Sequence, residues 1–350
     1  MPDAPDLAMP HGAADLPVAR VESHSLEIRE DGGFLGDKAS ETAFRELLDL
    51  WRDRLADAGS TPFGEGPTEE IERDDLDEAL TRPSDPDEAE ALERTLDAFA
   101  DDLAGVLDRF LHVPSWAGVE RIVCGGGLQS SRVGVEAVRR AERRLRAKGH
   151  CVALRSLHHE PDDGGMIGWA HAAPRSALEG GEAFLAVDIG GTNLRCGIVA
   201  LGAGAAGPQV VHREKWCHAD DEPSREEVVD RLATLLLDAV GEAERRGLRL
   251  APFVGLGCPG LVRADGTLAG GVQNLPGDWT EDGFCLPERV RLSLHEIGGR
   301  PTVIRLHNDA VIQGLSEWPF MRDVTRWAAV TIGTGLGNCA FRNREATRFD

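Results

Sequence analysis

At 350 residues the chain is long enough for two domains with separate cores, and 41% hydrophobic residues set it apart from disordered sequences. Its 60 acidic against 38 basic residues give a formal charge of -22, which repels nucleic acid and anionic membranes and so excludes them as expected partners. No apolar run reaches membrane-spanning length, and MPDAPDLAMPHGAADLPVAR lacks the charged and apolar regions of a secretion signal, so a soluble, cytoplasmic protein is expected.

Residues 1–36, rich in Pro, Gly and charge, read as surface wrapping. A helix is predicted over 41–58, with Phe44, Leu47, Leu48, Trp51 and Leu55 on one face, Ser40 as N-cap and Gly59 as stop. The acidic stretch 60–87, broken by Pro62, Pro67, Pro83 and Pro86, reads as an exposed excursion. A second amphipathic helix over 88–112 uses Leu92, Leu96, Phe99, Leu103, Leu107 and Phe110.

The texture then turns to alternating α and β. VERIVCGGG (119–127) is a strand ending in three glycines, followed by a helix over 131–148 and the strand CVALRSL. GGMIGWAHAAP (164–174) is a small-residue helix able to pack closely, and RSALEGGEA is a linker. FLAVDIGGTNLRCGIVAL (184–201) reads as strand, turn and strand, with Asp188 at the rim. Ser224 and Glu227 form a capping-box signature for a helix running to Gly247. FVGLGCPG (253–260), TVIRLHNDA (302–310) and WAAVTIGTGLG (327–337) each read as a strand ending in polar or glycine residues.

Cys124, Cys151, Cys196, Cys217, Cys258, Cys285 and Cys339 stand singly, with no Cys-x-x-Cys and none at metal spacing from a histidine. They read as buried structural thiols, and no structural zinc is expected. His158, His159 and His171 lack supporting carboxylate spacing and read as surface or polar packing groups.

The chemistry concentrates in the glycine turns. In DIGGT (188–192) and GTGLG (333–337), missing side chains at Gly190, Gly191, Gly333 and Gly335 let backbone N–H groups approach an anion, and Thr192 and Thr334 can add donors. Two such turns, with Asp188 placed to hold a metal-bound water, suit a nucleotide triphosphate with Mg²⁺. Gly125, Gly126 and Gly127 read equally as a flat surface for a nucleoside or as an ordinary tight turn. GLGCPG (255–260) matches Gly-x-Gly-x-x-Gly, but Pro259 sits inside the turn and no helix is predicted after it, so a dinucleotide site is rejected. In LHNDA (306–310) a strand emerges into Asn308 and Asp309. Asp309 is the candidate catalytic base for a hydroxyl attacking a phosphoryl group, with Asn308 as a polyol reader; the alternative is that Asp309 only caps the next helix. Gln273 and Asn274 of QNLPGDW (273–279) are further hydroxyl readers, with Trp279 as packing or a sugar platform.

Together these motifs resemble the ROK family of sugar kinases, within the actin and hexokinase superfamily. LAVDIGGTNLRCGIV, including Asn193, resembles its first phosphate motif, and GLGCPGLV with DGTL and QNLPGDW its sugar-loop region. LHNDAVIQGLSE resembles the catalytic segment, VTIGTGLGN the second phosphate motif, and RIVCGGGLQSSRVGVEAV with GMIGWAHAA the adenosine motif and closing helix. The adenosine half ordinarily comes last; here it comes first, which implies a circularly permuted chain. The family's Gly-Glu-x-Gly-His motif and cysteine-rich zinc motif are missing, and HGAADLPV (11–18), with Asp15, is a faint relic of the former.

The resemblance implies a two-domain α/β, actin/hexokinase-like (ribonuclease H-like) ATPase fold. Residues 1–178 would be the adenosine-binding half of the larger domain, 179–304 the smaller domain, and 305–350 a segment returning to the larger. ATP and sugar would sit in the interdomain cleft, and domain closure would exclude water. The implied activity is ATP- and Mg²⁺-dependent transfer of a phosphoryl group to a sugar hydroxyl, most simply of a hexose as in a glucokinase. Asp309 would be the base, with Asn308, Asn274 and Gln273 on the sugar. Asp188, Gly190, Gly191, Thr192, Asn193, Gly333, Thr334, Gly335 and Gly125–Gly127 would lie on the nucleotide, and Asp188 would hold Mg²⁺ through water. A non-catalytic sugar- or nucleotide-binding regulator is the alternative reading; the sugar's identity, homo-oligomerisation and any sequence beyond Asp350 stay open.

Overall fold

The computed structural model describes residues 9–30, 33–202, 207–272 and 274–344. In chain order, β1 (Ala19–His24), β2 (Arg29–Glu30) and β3 (Gly33–Phe34) lead into α1 (Glu41–Ala56), α2 (Arg73–Thr81), α3 (Pro86–Leu111), β4 (Arg121–Gly125), α4 (Arg132–Ala147) and β5 (Ala153–Ser156). Short helices α5 (Pro161–Ile167), α6 (Trp169–Ala172) and α7 (Arg175–Leu178) follow. Next come β6 (Ala183–Ile189), β7 (Asn193–Ala200), β8 (Gln209–Cys217), α8 (Arg225–Arg245), β9 (Leu250–Cys258) and α9 (Leu286–Ser293). The chain continues through β10 (Glu296–Ile297), β11 (Arg300–Pro301), β12 (Val303–Asn308), α10 (Asp309–Ser316), β13 (Arg326–Ile332) and β14 (Leu336–Asn343).

These elements form two compact units. The first contains the described residues up to Ser25, residues 162–323 and those from Phe341 onward; the second contains 26–161 and 324–340.

The first unit is built on a five-stranded sheet in the order β12-β9-β6-β7-β8. β6 runs parallel to β9 and β9 to β12, while β6–β7 and β7–β8 are antiparallel hairpin pairs. Every residue of β9 is buried, as a central parallel strand covered on both faces requires. Alternation along β6 sends Leu185 and Val187 to one face, where they join Val228, Leu232, Leu236 and Ala239 of α8 in a core cluster. Burying one such Leu or Val side chain contributes about 1.5–3 kcal/mol. α8 starts where the capping box predicted it: Ser224 Oγ accepts the Glu227 N–H, and the Glu227 carboxylate accepts the Ser224 N–H.

The opposite face carries Phe184 and Phe253, with the Trp169 ring centroid 5.7 Å from that of Phe253. The small-residue stretch does pack closely, but as two helices, α5 and α6, broken at Gly168. A Cβ at Gly168 would lie 1.7 Å from the Ile312 carbonyl oxygen, and one at Gly255 would enter the Trp169 ring at 2.3 Å. Close backbone approach therefore packs α6 against α10, and the Trp169 ring packs it against Gly255 of β9. This places 162–178 and 305–323 in the same unit as 179–304, dividing the chain elsewhere than at the expected boundaries of 178 and 304. β1 also belongs here: Glu22 pairs with Arg342 at 3.0 Å, and Val18 O accepts the Arg344 N–H.

In the second unit, β13, β4 and β5 are successive parallel neighbours, and β14 lies beside β13. α1, α3 and α4 cover it, with Phe44 edge-on to Phe99 at 5.5 Å. The predicted caps hold: Ser40 Oγ accepts the Ala43 N–H, and Gly59 adopts φ +93°. α3 starts earlier than expected, because Asp85 caps it and Pro86 occupies its first turn. Its acidic face is matched by α4: Arg140 bridges Glu93 and Asp97 at 2.7 and 3.0 Å, and Arg144 takes Asp97 and Asp101.

The excursion 60–87 is not wholly exposed, since it contains α2, whose Leu76 and Ala79 join the core. Asp77 on this helix accepts the N–H groups of Arg132 and Val133, capping α4 alongside Ser131. The thiols also divide: Cys124, Cys196, Cys258 and Cys339 are buried as expected, whereas Cys151 is exposed and Cys217 and Cys285 are half-buried.

Candidate functional site

In the first unit, three parallel strands end together, in the position where open α/β sheets bind ligands. Asp188 of β6 is in register with Gly257 of β9, which is in register with His307 of β12. Asp309 follows as the first residue of α10. Gly257 lies beside both aspartates: a Cβ there would be 3.8 Å from Asp188 Oδ1 and 3.7 Å from the Asp309 Cα.

Asp309 is not the helix cap. Asn308 is, its Oδ1 accepting the Val311 N–H at 3.2 Å. Asn308 is 2% exposed, and its amide N–H groups donate to Ser25 Oγ and Gly260 O at 3.2 and 3.1 Å. Both its donors are thus spent inside the protein, so its observed work is to fix the strand-to-helix turn that carries Asp309. Burial, then the nearby charge of Asp188, push the Asp309 carboxyl up from 3.8 to about 7. Asp188 is likewise raised, by burial above all and by Asp162, against the pull of Arg195.

Arg195 was not found by sequence reasoning, although hairpin register makes it the cross-strand partner of Asp188. Its guanidinium donates to Asp188 Oδ2 at 3.1 Å and to Asp162 Oδ1 at 2.7 Å. Lys215 reaches Asp162 at 3.1 Å, and Arg213 pairs with Asp163. The start of α5 is thereby clamped to β7 and β8, and Gly165 of α5 approaches Asp188 so closely that a Cβ would lie 2.6 Å from its Cγ. Burial opposes ionisation of Asp162, but Arg195 and Lys215 outweigh it and hold that carboxyl below its ordinary value.

The turn at Gly190–Thr192 is closed by the Gly190 N–H donating to Asn193 O at 2.8 Å. His218, also absent from the sequence reading, has Nε2 2.9 Å from Gly190 O, and the Ala219 N–H donates to Thr192 O. Asn274 is exposed and lies against the turn, 2.9 Å from where a Gly191 Cβ would stand. Gln273 lies outside the described residues. Trp279 is wholly buried and donates to Pro276 O, so packing, not a sugar platform, is its role. Asp15 is 62% exposed and pairs with Arg20 and Arg344, while His11 and Ala13 beside it brace β12 through Leu306 N and His307 Nε2.

In the second unit the other glycine turns also end adjacent parallel strands, with Gly125 of β4 in register with Thr331 of β13. Gly126 adopts φ +91°, and a Cβ there would meet Ile332 O at 2.4 Å. This glycine is required by the fold itself. Gly333 and Gly335 are different: a Cβ at Gly335 would have no neighbour within 4 Å, and one at Gly333 would meet only Gly335 O at 4.0 Å. Their bareness serves no packing need and leaves an open cradle. The loop is braced by the start of α1, where the Glu41 N–H donates to Gly333 O and the Thr42 hydroxyl to Thr334 O. Arg73 of α2 bridges Glu41 and Ser130 at 2.9 and 3.0 Å, with its guanidinium 3.0 Å from a notional Gly127 Cβ.

The donor chemistry suits the expected groups. Asp188 offers the hard oxygen atoms that Mg²⁺ takes, and Gly333–Gly335 leave room for phosphate oxygens. Among the described residues no helix is long and apolar enough to cross a membrane.

No family model matches the chain, and no curated protein does. Among solved structures, a candidate sugar kinase from Cytophaga hutchinsonii is similar at 22% identity over 46% of this chain and 48% of that chain, with a TM-score of 0.34. A ROK family protein from Streptococcus pneumoniae, in complex with sucrose, is similar at 22% identity over 47% and 48%, with a TM-score of 0.32. An exopolyphosphatase-like protein is similar at 16% identity over 70% of this chain and 86% of that chain, with a TM-score of 0.31. The chain spans about half the length of the first two of these structures. Likeness this shallow carries no functional argument, which falls to the chain's own residues.

Proposed function

We propose that the chain is an ATP-dependent carbohydrate kinase of ROK type, circularly permuted, transferring the γ-phosphoryl group to a sugar hydroxyl, a hexose first among candidates. One observation carries the reading: Asp309 stands at the end of a parallel strand, free of the capping role, with its carboxyl raised to about 7. A carboxylate poised near neutrality is suited to accept a proton at the moment an oxygen attacks. The order of the motifs along the chain supports the permutation.

In this mechanism Asp309 takes the proton of the attacking hydroxyl as the new oxygen–phosphorus bond forms and the bond to the leaving ADP breaks. Asp188, steadied by Arg195, faces the same strand ends and would hold Mg²⁺ through water. Gly190, Gly191, Thr192, Asn193, Gly333, Thr334 and Gly335 would offer backbone and hydroxyl donors to phosphate oxygens. Gly125–Gly127 would lie on the nucleoside, with Arg73 and Glu41 beside them. Asn274 would read a sugar hydroxyl, and Asn308 acts by positioning Asp309. ATP supplies the phosphoryl group, and Mg²⁺ supplies positive charge against the phosphates.

A second reading, sugar or nucleotide binding without turnover, is favoured by the internal commitment of the Asn308 amide, which leaves the acceptor with one reader fewer. An ATP-coupled screen across hexoses, N-acetylhexosamines and related polyols separates the two. Phosphorylation supports the kinase; saturable sugar binding with no product supports the regulator.

A further inference from the structure

Away from these residues, the C-terminal ends of α3 and α4 bring together Asp108, His112 and His150 in the second unit. Asp108 lies in the last turn of α3 and His112 is the C-cap four residues on, still in helical conformation, so both project from the same side. His150 follows Gly149, which stops α4 with φ +93°. His150 Nε2 lies 2.6 Å from Asp108 Oδ1, and His112 Nδ1 lies 3.6 Å from the same oxygen. One ligand atom from each of the three residues falls within 4.8 Å of the others. His112 Nδ1 also lies 2.7 Å from Asp108 O, a hydrogen bond that coordination through Nδ1 would replace, and its ring stands edge-on to the His150 ring at 5.8 Å.

We propose that Asp108, His112 and His150 form a binding site for a divalent transition metal of the zinc class. Two imidazole nitrogens and one carboxylate oxygen are the donor set that Zn²⁺ and Ni²⁺ prefer over Mg²⁺ or Ca²⁺. Two helix C-termini meet here, and the negative ends of their dipoles favour a cation. Lys148 is the competing charge, but its ammonium sits 3.4 Å from Asp108 Oδ2, leaving Oδ1 turned to the imidazoles. Three protein donors leave the remaining positions to water. The ion would staple the end of α3 to the turn after α4, whose ligands stand 42 residues apart in sequence. That separation, and a donor set without cysteine, hid the site from a spacing search. It differs in metal class from the carboxylate Asp188, and does not depend on the kinase reading.

The test is calorimetric titration of the metal-free full chain with Zn²⁺, with visible absorption of the Co²⁺-substituted protein as a second readout. We expect one ion per chain, a higher unfolding temperature with Zn²⁺, and affinity reduced by about tenfold or more in His112→Ala and His150→Ala, a loss of the size seen even for outer-shell metal partners. His112 has a 71% exposed side chain, so its removal leaves packing intact. Asp188→Asn should leave Zn²⁺ affinity unchanged. Saturable binding retained at full affinity by the double histidine variant, or no saturable binding by the unaltered chain, overturns the site.

Discussion

Replacing Asp309 with asparagine should stabilise the protein while destroying its activity. The carboxyl ordinarily loses its proton at 3.8, but in the folded chain it does so at about 7, first through burial and then through Asp188. Below pH 3.8 both folded and unfolded chains hold the proton, and no penalty exists. Between 3.8 and about 7 the unfolded chain releases a proton that the folded chain keeps, so stability falls as pH rises. Above about 7 the folded chain carries the full cost of a crowded anion. A displacement of that span corresponds to about 4 kcal/mol at about 1.4 kcal/mol per unit.

Asparagine keeps the shape and can still accept the Ala310 N–H that Asp309 Oδ1 now takes at 2.8 Å, but never ionises. Unfolding followed by fluorescence of the buried Trp169 and Trp279 should show Asp309→Asn more stable at pH 8 by several kcal/mol, roughly 10 °C in midpoint, and level with the unaltered protein near pH 4. A variant no more stable at pH 8, or a difference that does not change with pH, would refute the claim that Asp309 is a strained carboxylate.

Three other outcomes follow from the same geometry. The transfer rate should rise with pH through a midpoint near 7 as Asp309 deprotonates, and Asp188→Asn should move that limb of the kcat/KM profile to lower pH, because a neighbouring negative charge is removed. Gly168→Ala should cost about 4 kcal/mol or more, read as a lowered unfolding midpoint or loss of soluble protein, since its methyl would stand 1.7 Å from a backbone oxygen. Gly335→Ala should leave the midpoint within about 0.5 kcal/mol of the original yet weaken ATP binding in calorimetry, because no protein atom lies within 4 Å of the added methyl.

Much of this was legible in sequence because local rules acted alone. Apolar stripes set α1 and α3, and Ser40 and Ser224 marked the starts of α1 and α8 through the hydroxyls they use as caps. The hairpin around Gly190 and Gly191 was readable because both its strands are apolar and its turn is not. What escaped depended on partners distant in sequence. Acidic composition concealed α2, whose charges face outward while Leu76 and Ala79 face in and Asp77 caps α4. The clamp of Asp162 on Arg195 and Lys215 needs a helix laid across a hairpin. Asn308 was read as a sugar contact because an amide beside a carboxylate suits a polyol; Ser25 and Gly260, which occupy it, lie far away in the chain.

The measurement that bears most directly on the central claim is initial-rate phosphoryl transfer from ATP and Mg²⁺ to a panel of hexoses, with Asp309→Asn alongside. The account predicts a phosphorylated sugar, and a loss in kcat of about 10²–10⁴-fold in the variant with ATP affinity largely kept. A variant that turns over at the unaltered rate, or an unaltered protein that binds sugar and ATP and phosphorylates nothing, would contradict it.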